Sequence, residues 1–224
     1  MKLLALETAT DSCSVALWDN GRIEERFEAG QRRQTERVLP MLEEILAVAG
    51  WKLGQLDAIA YGQGPGAFTG VRVAVSVAQG LGFAADIPLI GISTLAASAH
   101  GAAREHGDGN WLIGLDARMG ELYLGGYKVT RGSVQVLLED CVAAPSALPA
   151  LPVGQWRGAG SGGLYLDAMR SSWSTLLDWD ATQLPHAASV AALAALQRAA
   201  GGGVPAEQAR PVYLRDRVIQ GAIR

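Results

Sequence analysis

Glu7 stands at the end of the first apolar run, Lys2 to Leu6, and is the only carboxylate there. A carboxylate at a strand end can hold a metal-bound phosphate, with Thr8, Thr10 and Ser12 adding hydroxyl contacts. The same residues equally read as a polar turn that closes a hairpin. Residues 62–72, Gly-Gln-Gly-Pro-Gly-Ala-Phe-Thr-Gly-Val-Arg, put four glycines and a proline between a strand-like run and a helix-like run. Such a junction forces a tight turn with backbone angles that few residues adopt. Turns of this kind present amides at a helix N-terminus, which suits an anion. The run lacks the Lys-Ser/Thr pair of a P-loop, so a packing turn stands beside the phosphate reading. Asp116-Ala117-Arg118-Met119-Gly120-Glu121 carries three charges in a hairpin loop. Asp116 with Arg118 is either a site or an ion pair that orders the turn. Arg72 opposes the helix dipole where it stands and calls for a carboxylate partner or an anionic ligand.

Other chemistry finds little support. His100, His106 and His186 show no helical metal-pair spacing, and no Cys or acidic cluster neighbours them in sequence. Ser161 lies in Gly160-Ser161-Gly162-Gly163, which is not the Gly-x-Ser-x-Gly elbow of a hydrolase. Cys13 and Cys141 are too few for a disulfide framework, and Cys13 reads as a buried structural thiol. The formal net charge is −3, whereas a chain that grips RNA unaided shows a basic face. Arg210, Arg215, Arg217 and Arg224 make the C-terminal stretch only mildly basic, so RNA binding by the isolated chain is expected to be weak and salt-sensitive. The N-terminal apolar run is too short for a signal peptide, and no apolar run is expected to span a membrane. The expected location is cytoplasmic.

The elements that must position these residues alternate in type. Lys2 to Leu6, Ser12 to Trp18 and Arg22 to Phe27 read as strands, with a hairpin turn at Asp19-Asn20-Gly21. Thr35 to Ala49 reads as a helix, Leu56 to Tyr61 as a strand, Val71 to Phe83 as a helix and Pro88 to Ile92 as a strand. Thr94 to Glu105 is a helix that Ser93 can cap. After Gly107-Asp108-Gly109 the pattern restarts with Trp111 to Leu115, Glu121 to Val129 and Val134 to Glu139. Pro145 to Pro152 is a proline-rich connection, Gly158 to Gly163 a turn between strand and helix, and Ala187 to Ala200 an alanine-rich helix. One order of elements, repeated in looser form, predicts two related α/β halves. They are placed at residues 1–106 and 107–224, with the segment after 205 a candidate to cross back to the first.

The Val71 to Phe83 helix is small or apolar on almost every face, so it is buried on more than one side. A sheet covers one face; the other needs a second helix or another chain. The stripe of Val38, Leu39, Leu42, Ile45 and Leu46 offers the same kind of surface. Leu39, Leu42, Ile45, Leu46, Val71, Ala74, Val75, Ala78 and Gly82 are the candidate interface residues, with the outward face of each helix left open. Ala78→Arg is expected to block association and leave the monomer folded.

Leu3-Leu4-Ala5-Leu6-Glu7-Thr8-Ala9-Thr10, the run 62–72, Ile90-Gly91-Ile92-Ser93-Thr94, Asp116 to Tyr123 and Pro211-Val212-Tyr213-Leu214-Arg215 together resemble the TsaB (YeaZ) family. The matches are in order over nearly the whole chain. The resemblance implies an actin-like, Hsp70-like ATPase (ASKHA) fold of two lobes. It implies a non-catalytic subunit of the complex that places a threonylcarbamoyl group on adenosine 37 of ANN-decoding tRNAs. It further implies that the metal-holding paralogue TsaD is bound through helices of the first lobe and that the ATPase TsaE joins. The isolated chain is then expected to pair with itself, and tRNA to be met only through the complex. No cofactor, metal or catalytic residue is assigned to this chain. The alternative is an ATPase or phosphotransferase of the same fold, using Glu7, Thr8, Thr10 and the 62–70 turn. A peptidase role, which the family has also been given, lacks a metal pair or nucleophile here. Family members often carry Asp where this chain has Glu7, and many carry His where it has Gln34.

Overall fold

The computed structural model describes residues 1–30 and 33–215. Lys2–Glu7 (β1) is the centre of the first sheet and runs antiparallel to Ser12–Asp19 (β2), with Leu4 opposite Leu17. Asn20-Gly21, both at positive φ, turns the chain into Arg22–Ala29 (β3). Gln34–Ala49 (α1) leads to Ala58–Gly62 (β4), parallel to β1, then Phe68–Ala85 (α2) to Leu89–Ile92 (β5), parallel to β4. The sheet order is β3-β2-β1-β4-β5. Thr94–His106 (α3) leaves this sheet, and the Ser93 hydroxyl accepts the Ala96 N–H at 3.2 Å as its cap.

The second half repeats the plan. Gly109–Arg118 (β6) is its centre, antiparallel to Glu121–Thr130 (β7) and parallel to Trp156–Ala159 (β9). Ser133–Ala143 (β8) flanks β7; Leu166–Ser172 (α4) leads to Leu176–Asp180 (β10) beside β9, and Ala187–Ala199 (α5) comes next. The order β8-β7-β6-β9-β10 matches the first sheet strand for strand and sense for sense. Two mixed sheets of this plan with flanking helices make the actin-like, two-lobed fold.

β1 is buried on both faces because alternate residues feed two cores. Leu4 and Leu6 pack with Val38, Ile45, Ala74 and Ala78 under α1 and α2. Leu3 and Ala5 pack with Ala187, Val190, Ala191 and Ala194 of α5. In the second sheet Trp111 and Ile113 meet Leu95, Ala99 and Ala102 of α3, while Leu112 faces Met169 and Trp173. Helices α3 and α5 therefore lie between the sheets and touch each other, with His100 Nδ1 3.0 Å from the Ser189 hydroxyl. Placing 187–200 with the second half misdescribes α5. Its small side chains fit closely against β1 and β2, so it serves the first sheet. β10 is an element that local pattern does not announce. The expectation that no apolar run reaches membrane-spanning length is corrected by the 18-residue α2, which is long and apolar enough by length and composition. In this fold its inner face is committed to the sheet.

Candidate functional site

The two turns after Glu7 and Gly62 are built into each other. Glu7 is wholly buried: its Oε1 accepts the Ala9 N–H at 2.6 Å and its Oε2 accepts the Thr94 hydroxyl at 3.0 Å. Burial pushes its carboxyl up to about 7, against the lowering effect of these hydrogen bonds. Thr8, equally buried, donates its hydroxyl to the Gly70 carbonyl at 2.7 Å. Both side chains spend their polar atoms on Ala9, Thr94 and Gly70 of this chain, which supports the hairpin-closing reading of Glu7.

Gly62, Gly66 and Gly70 stand four residues apart and meet the β1–β2 turn. A Cβ would lie 2.0 Å from Glu7 Oε2 at Gly62, 2.2 Å from the Ala9 carbonyl at Gly66 and 2.0 Å from the Thr8 carbonyl at Gly70. The Ala67 N–H also donates to the Ala9 carbonyl at 2.7 Å. The glycines permit close approach of backbone to backbone, which is the packing reading of this run. Gln34, at the start of α1, donates to the Thr10 carbonyl at 2.6 Å and steadies the same turn.

A cavity of about 820 Å³ lies between the lobes. Thr10, Thr35 and Phe68 contribute from the first lobe, Asp116, Met119 and Ser161 from the second. Asp116 takes the Arg118 N–H at 2.8 Å and its guanidinium at 3.0 Å, and the Asp116 N–H donates to the Ser161 hydroxyl at 3.0 Å. Arg118 and Met119 have φ of 62° and 55°, so the pair orders a strained turn at the cleft rim. Among the described residues Arg72 pairs with no carboxylate and instead meets two aromatic rings. Its guanidinium lies 3.6 Å from the Phe68 ring centre and its Nε donates to the Tyr213 hydroxyl at 2.9 Å. Arg210 donates to the Ala209 and Glu207 carbonyls, and Arg215 pairs with Glu121. Arg217 and Arg224 lie outside the described residues.

The histidines are engaged structurally. His100 is buried and pushed down to about 4 by desolvation. His186 Nδ1 stands 3.0 Å from Glu25. His106 Nε2 lies 3.0 Å from Asp180 and 4.0 Å from Glu105. An acidic neighbour does therefore accompany one histidine, brought from 74 residues away. The group is exposed, and Asp180 also accepts the Thr182 N–H and hydroxyl. Cys13 is buried, its thiol pushed up to about 11 chiefly by desolvation.

The nine candidate interface residues divide by burial. Leu42, Ile45, Ala74, Val75 and Ala78 are at most 5% exposed and pack into the core under the first sheet, and Val71, 1% exposed, is buried beside Gly64 of the glycine turn. Gly82 is buried against Leu89, and Leu46 is half-buried. Leu39 alone of the nine is exposed, at 49%. The outward face of α2 is Arg72, Ser76, Gly80, Phe83 and Ala84, flanked by half-buried Val73 and Val77. Phe83 is 81% exposed, and a Cβ on Gly80 would meet nothing within 4 Å. Ala78→Arg would therefore force a guanidinium into the monomer core, contrary to the expectation of a folded variant. Gly80 is outside the nine, although its place one helical turn from Ser76 and from Ala84 is a signal that marks it.

A family model described as "TsaD: tRNA N6-adenosine threonylcarbamoyltransferase" matches residues 28–200. The chain is 40% identical to the tRNA threonylcarbamoyladenosine biosynthesis protein TsaB of Escherichia coli, over 97% of this chain and 96% of that protein. It is 37% identical to the Haemophilus influenzae protein of the same name, over 97% and 95%. The solved structure of YeaZ from Pseudomonas aeruginosa superposes with a TM-score of 0.89 at 43% identity, covering 95% of this chain and 99% of that one.

Proposed function

This chain belongs to the TsaB family of tRNA threonylcarbamoyladenosine biosynthesis proteins, and on that premise we propose that it is a non-catalytic subunit of the modifying complex. It binds the catalytic paralogue TsaD through the outward faces of α1 and α2, and TsaE joins the pair in the cytoplasm. tRNA is met through the complex, and without TsaD the same face pairs two copies of this chain. The lobes divide the work: the first, whose sheet α5 and the segment after 203 complete, docks, and the second, built on the β6–β10 sheet, completes the fold. The carrying observation is the outward stripe of α2, in which Ser76, Gly80 and Ala84 allow close helix approach between Val73, Val77 and Phe83. Such an apolar face on a folded monomer marks a partner site. The match of the threonylcarbamoyltransferase family to this chain supports a partner of the same fold, whose equivalent helices would meet these about a pseudo-two-fold axis.

Gly80→Arg tests this reading. The site is open, and arginine is a better helix former than glycine, so the variant should fold as the wild type does. Binding to TsaD, and self-association, should weaken by at least about thirtyfold, the loss of a hot spot of about 2 kcal/mol. Unchanged light scattering of both assemblies, with circular dichroism intact, would move the interface elsewhere.

The second reading is nucleotide binding or hydrolysis in the cleft. The cavity volume and the α2 N-terminus at its rim favour it, while the sequestration of Glu7 and Thr8 counts against it. Nucleotide hydrolysis by the purified chain without TsaD and TsaE would favour it. tRNA modification that runs equally well without this chain would sink the scaffold reading.

A further inference from the structure

Beyond α5 the chain returns over the first lobe. Val204 pairs with Leu89 at the sheet edge, and Ala206 and Ala209 are buried in the core beneath α2. Gln79 of α2 donates to the Ala209 carbonyl at 3.1 Å, and the Val212 N–H donates to the Gln63 carbonyl at 2.8 Å, beside the glycine turn. Tyr213 then receives the Arg72 Nε–H. Two residues later the chain changes sides. The Arg215 guanidinium pairs with Glu121 and donates to the Arg118 carbonyl at 3.4 Å, both in the β6–β7 hairpin. Residues 212–215 line the cavity between these anchors.

We propose that residues 209–215 are a latch that fixes the opening of the cleft, so that closure is set by the chain's own polypeptide. In a two-lobed fold the rims separate by hinge motion. Here one rim, the 62–70 turn with α2, and the other, the 116–121 turn, are joined through one short segment. The Arg215 side chain is only 17% exposed, so its charge-assisted bonds work in a partly desolvated setting and exceed an ordinary surface pair. Behind the cleft the lobes are pinned by neighbouring residues. Ser93 donates to Asp140 of β8 at 2.6 Å, and Thr94 to Glu7 of β1 at 3.0 Å. A back pin and a front latch together hold both edges of the cleft. The latch belongs to the isolated chain and stands or falls without any partner.

Hydrogen–deuterium exchange of the isolated chain tests this, with Arg215→Ala, Glu121→Gln and the exchanged pair Arg215→Glu/Glu121→Arg. Either single variant should speed exchange at residues 64–70 and 116–121 by about fivefold or more, while β1 and β4 keep wild-type protection. The exchanged pair should return both turns toward wild type. Wild-type exchange at both turns in Arg215→Ala would overturn the latch. Equal loss of protection throughout the molecule would also overturn it, by assigning Arg215 a merely global role in stability.

Discussion

On the outer face of the first sheet lie α1 and α2, of 16 and 18 residues; on the matching face of the second lie the connection 144–155 and the seven-residue α4. The strand orders agree, so the difference lies in the segments that connect the strands. Pro145, Pro149 and Pro152 cannot sustain a helix where the first lobe has α1. The second lobe instead fixes this segment with indoles: Trp156 Nε1–H donates to the Pro152 carbonyl at 3.0 Å and Trp173 Nε1–H to the Pro149 carbonyl at 2.9 Å. One copy of the plan thus ends in a smooth helical face that another helix pair can meet. The other ends in an irregular, self-satisfied one. The ends of the central strands differ in the same way. Glu7 of β1 is sealed beneath the glycine turn, whereas Asp116 of β6 lines the cleft and pairs with Arg118.

The largest effect that would sharpen this contrast is expected from Ala78→Arg. It puts a charge with no partner into the core under the first sheet, at a cost of more than about 4 kcal/mol. The variant should be insoluble or lack a cooperative melt; a wild-type melting curve would show that α2 is less committed to its sheet than its burial indicates.

Next comes the pair of strand ends. Glu7 titrates near 7 when folded, against 4.5 for an unperturbed glutamate, a raised value. Its contribution is fully present below about pH 4.5 and declines as pH rises through 7, by about 3 kcal/mol in all. Glu7→Gln should remove this decline, so that its melting temperature exceeds wild type at pH 8 and the gap narrows toward pH 5. Asp116→Asn removes an exposed pair and should cost less than about 1 kcal/mol. Equal pH profiles for wild type and Glu7→Gln would erase the distinction between the two ends.

The smallest effect is expected on the second lobe's surface. Leu177, 54% exposed on the edge strand β10, should accept glutamate within about 0.5 kcal/mol. TsaD binding should stay at the wild-type level. Loss of binding in Leu177→Glu would break the assignment of docking to the first lobe.

The repeat of strands and helices is legible in the sequence because each period stands out locally: Leu3 to Leu6, the Asn20-Gly21 turn and the Ser93 cap all carry their own signal. β10 is not, since Leu176-Leu177-Asp178-Trp179-Asp180 shows no clean alternation and is defined by its parallel partner β9, about twenty residues earlier. The outward face of α2 is also hidden. With alanine, valine and glycine on all sides, only the position of the sheet decides that Ala78 points in and Gly80 out. Of the cleft, the 62–72 run shows in the sequence as a tight turn, but its packing role does not, since the approaches of Gly62, Gly66 and Gly70 to Glu7, Ala9 and Thr8 are made only by the fold. The partner of Arg72 is hidden too, because Tyr213 lies 141 residues away and no local rule connects them.

The crossing of α3 and α5 between the sheets bears on the order in which the protein is made. Residues 1–92 supply every strand of the first sheet, yet its inner face is closed by Ala187–Ala199 and its edge by Val204. A ribosome that has delivered the first half has therefore made Leu3, Ala5 and Ile90 without the α5 side chains that pack on them. The N-terminal lobe is not a unit that finishes while the rest is still being synthesised. Its last helix arrives after nearly nine-tenths of the chain has been made, so both lobes must reach their final packing together.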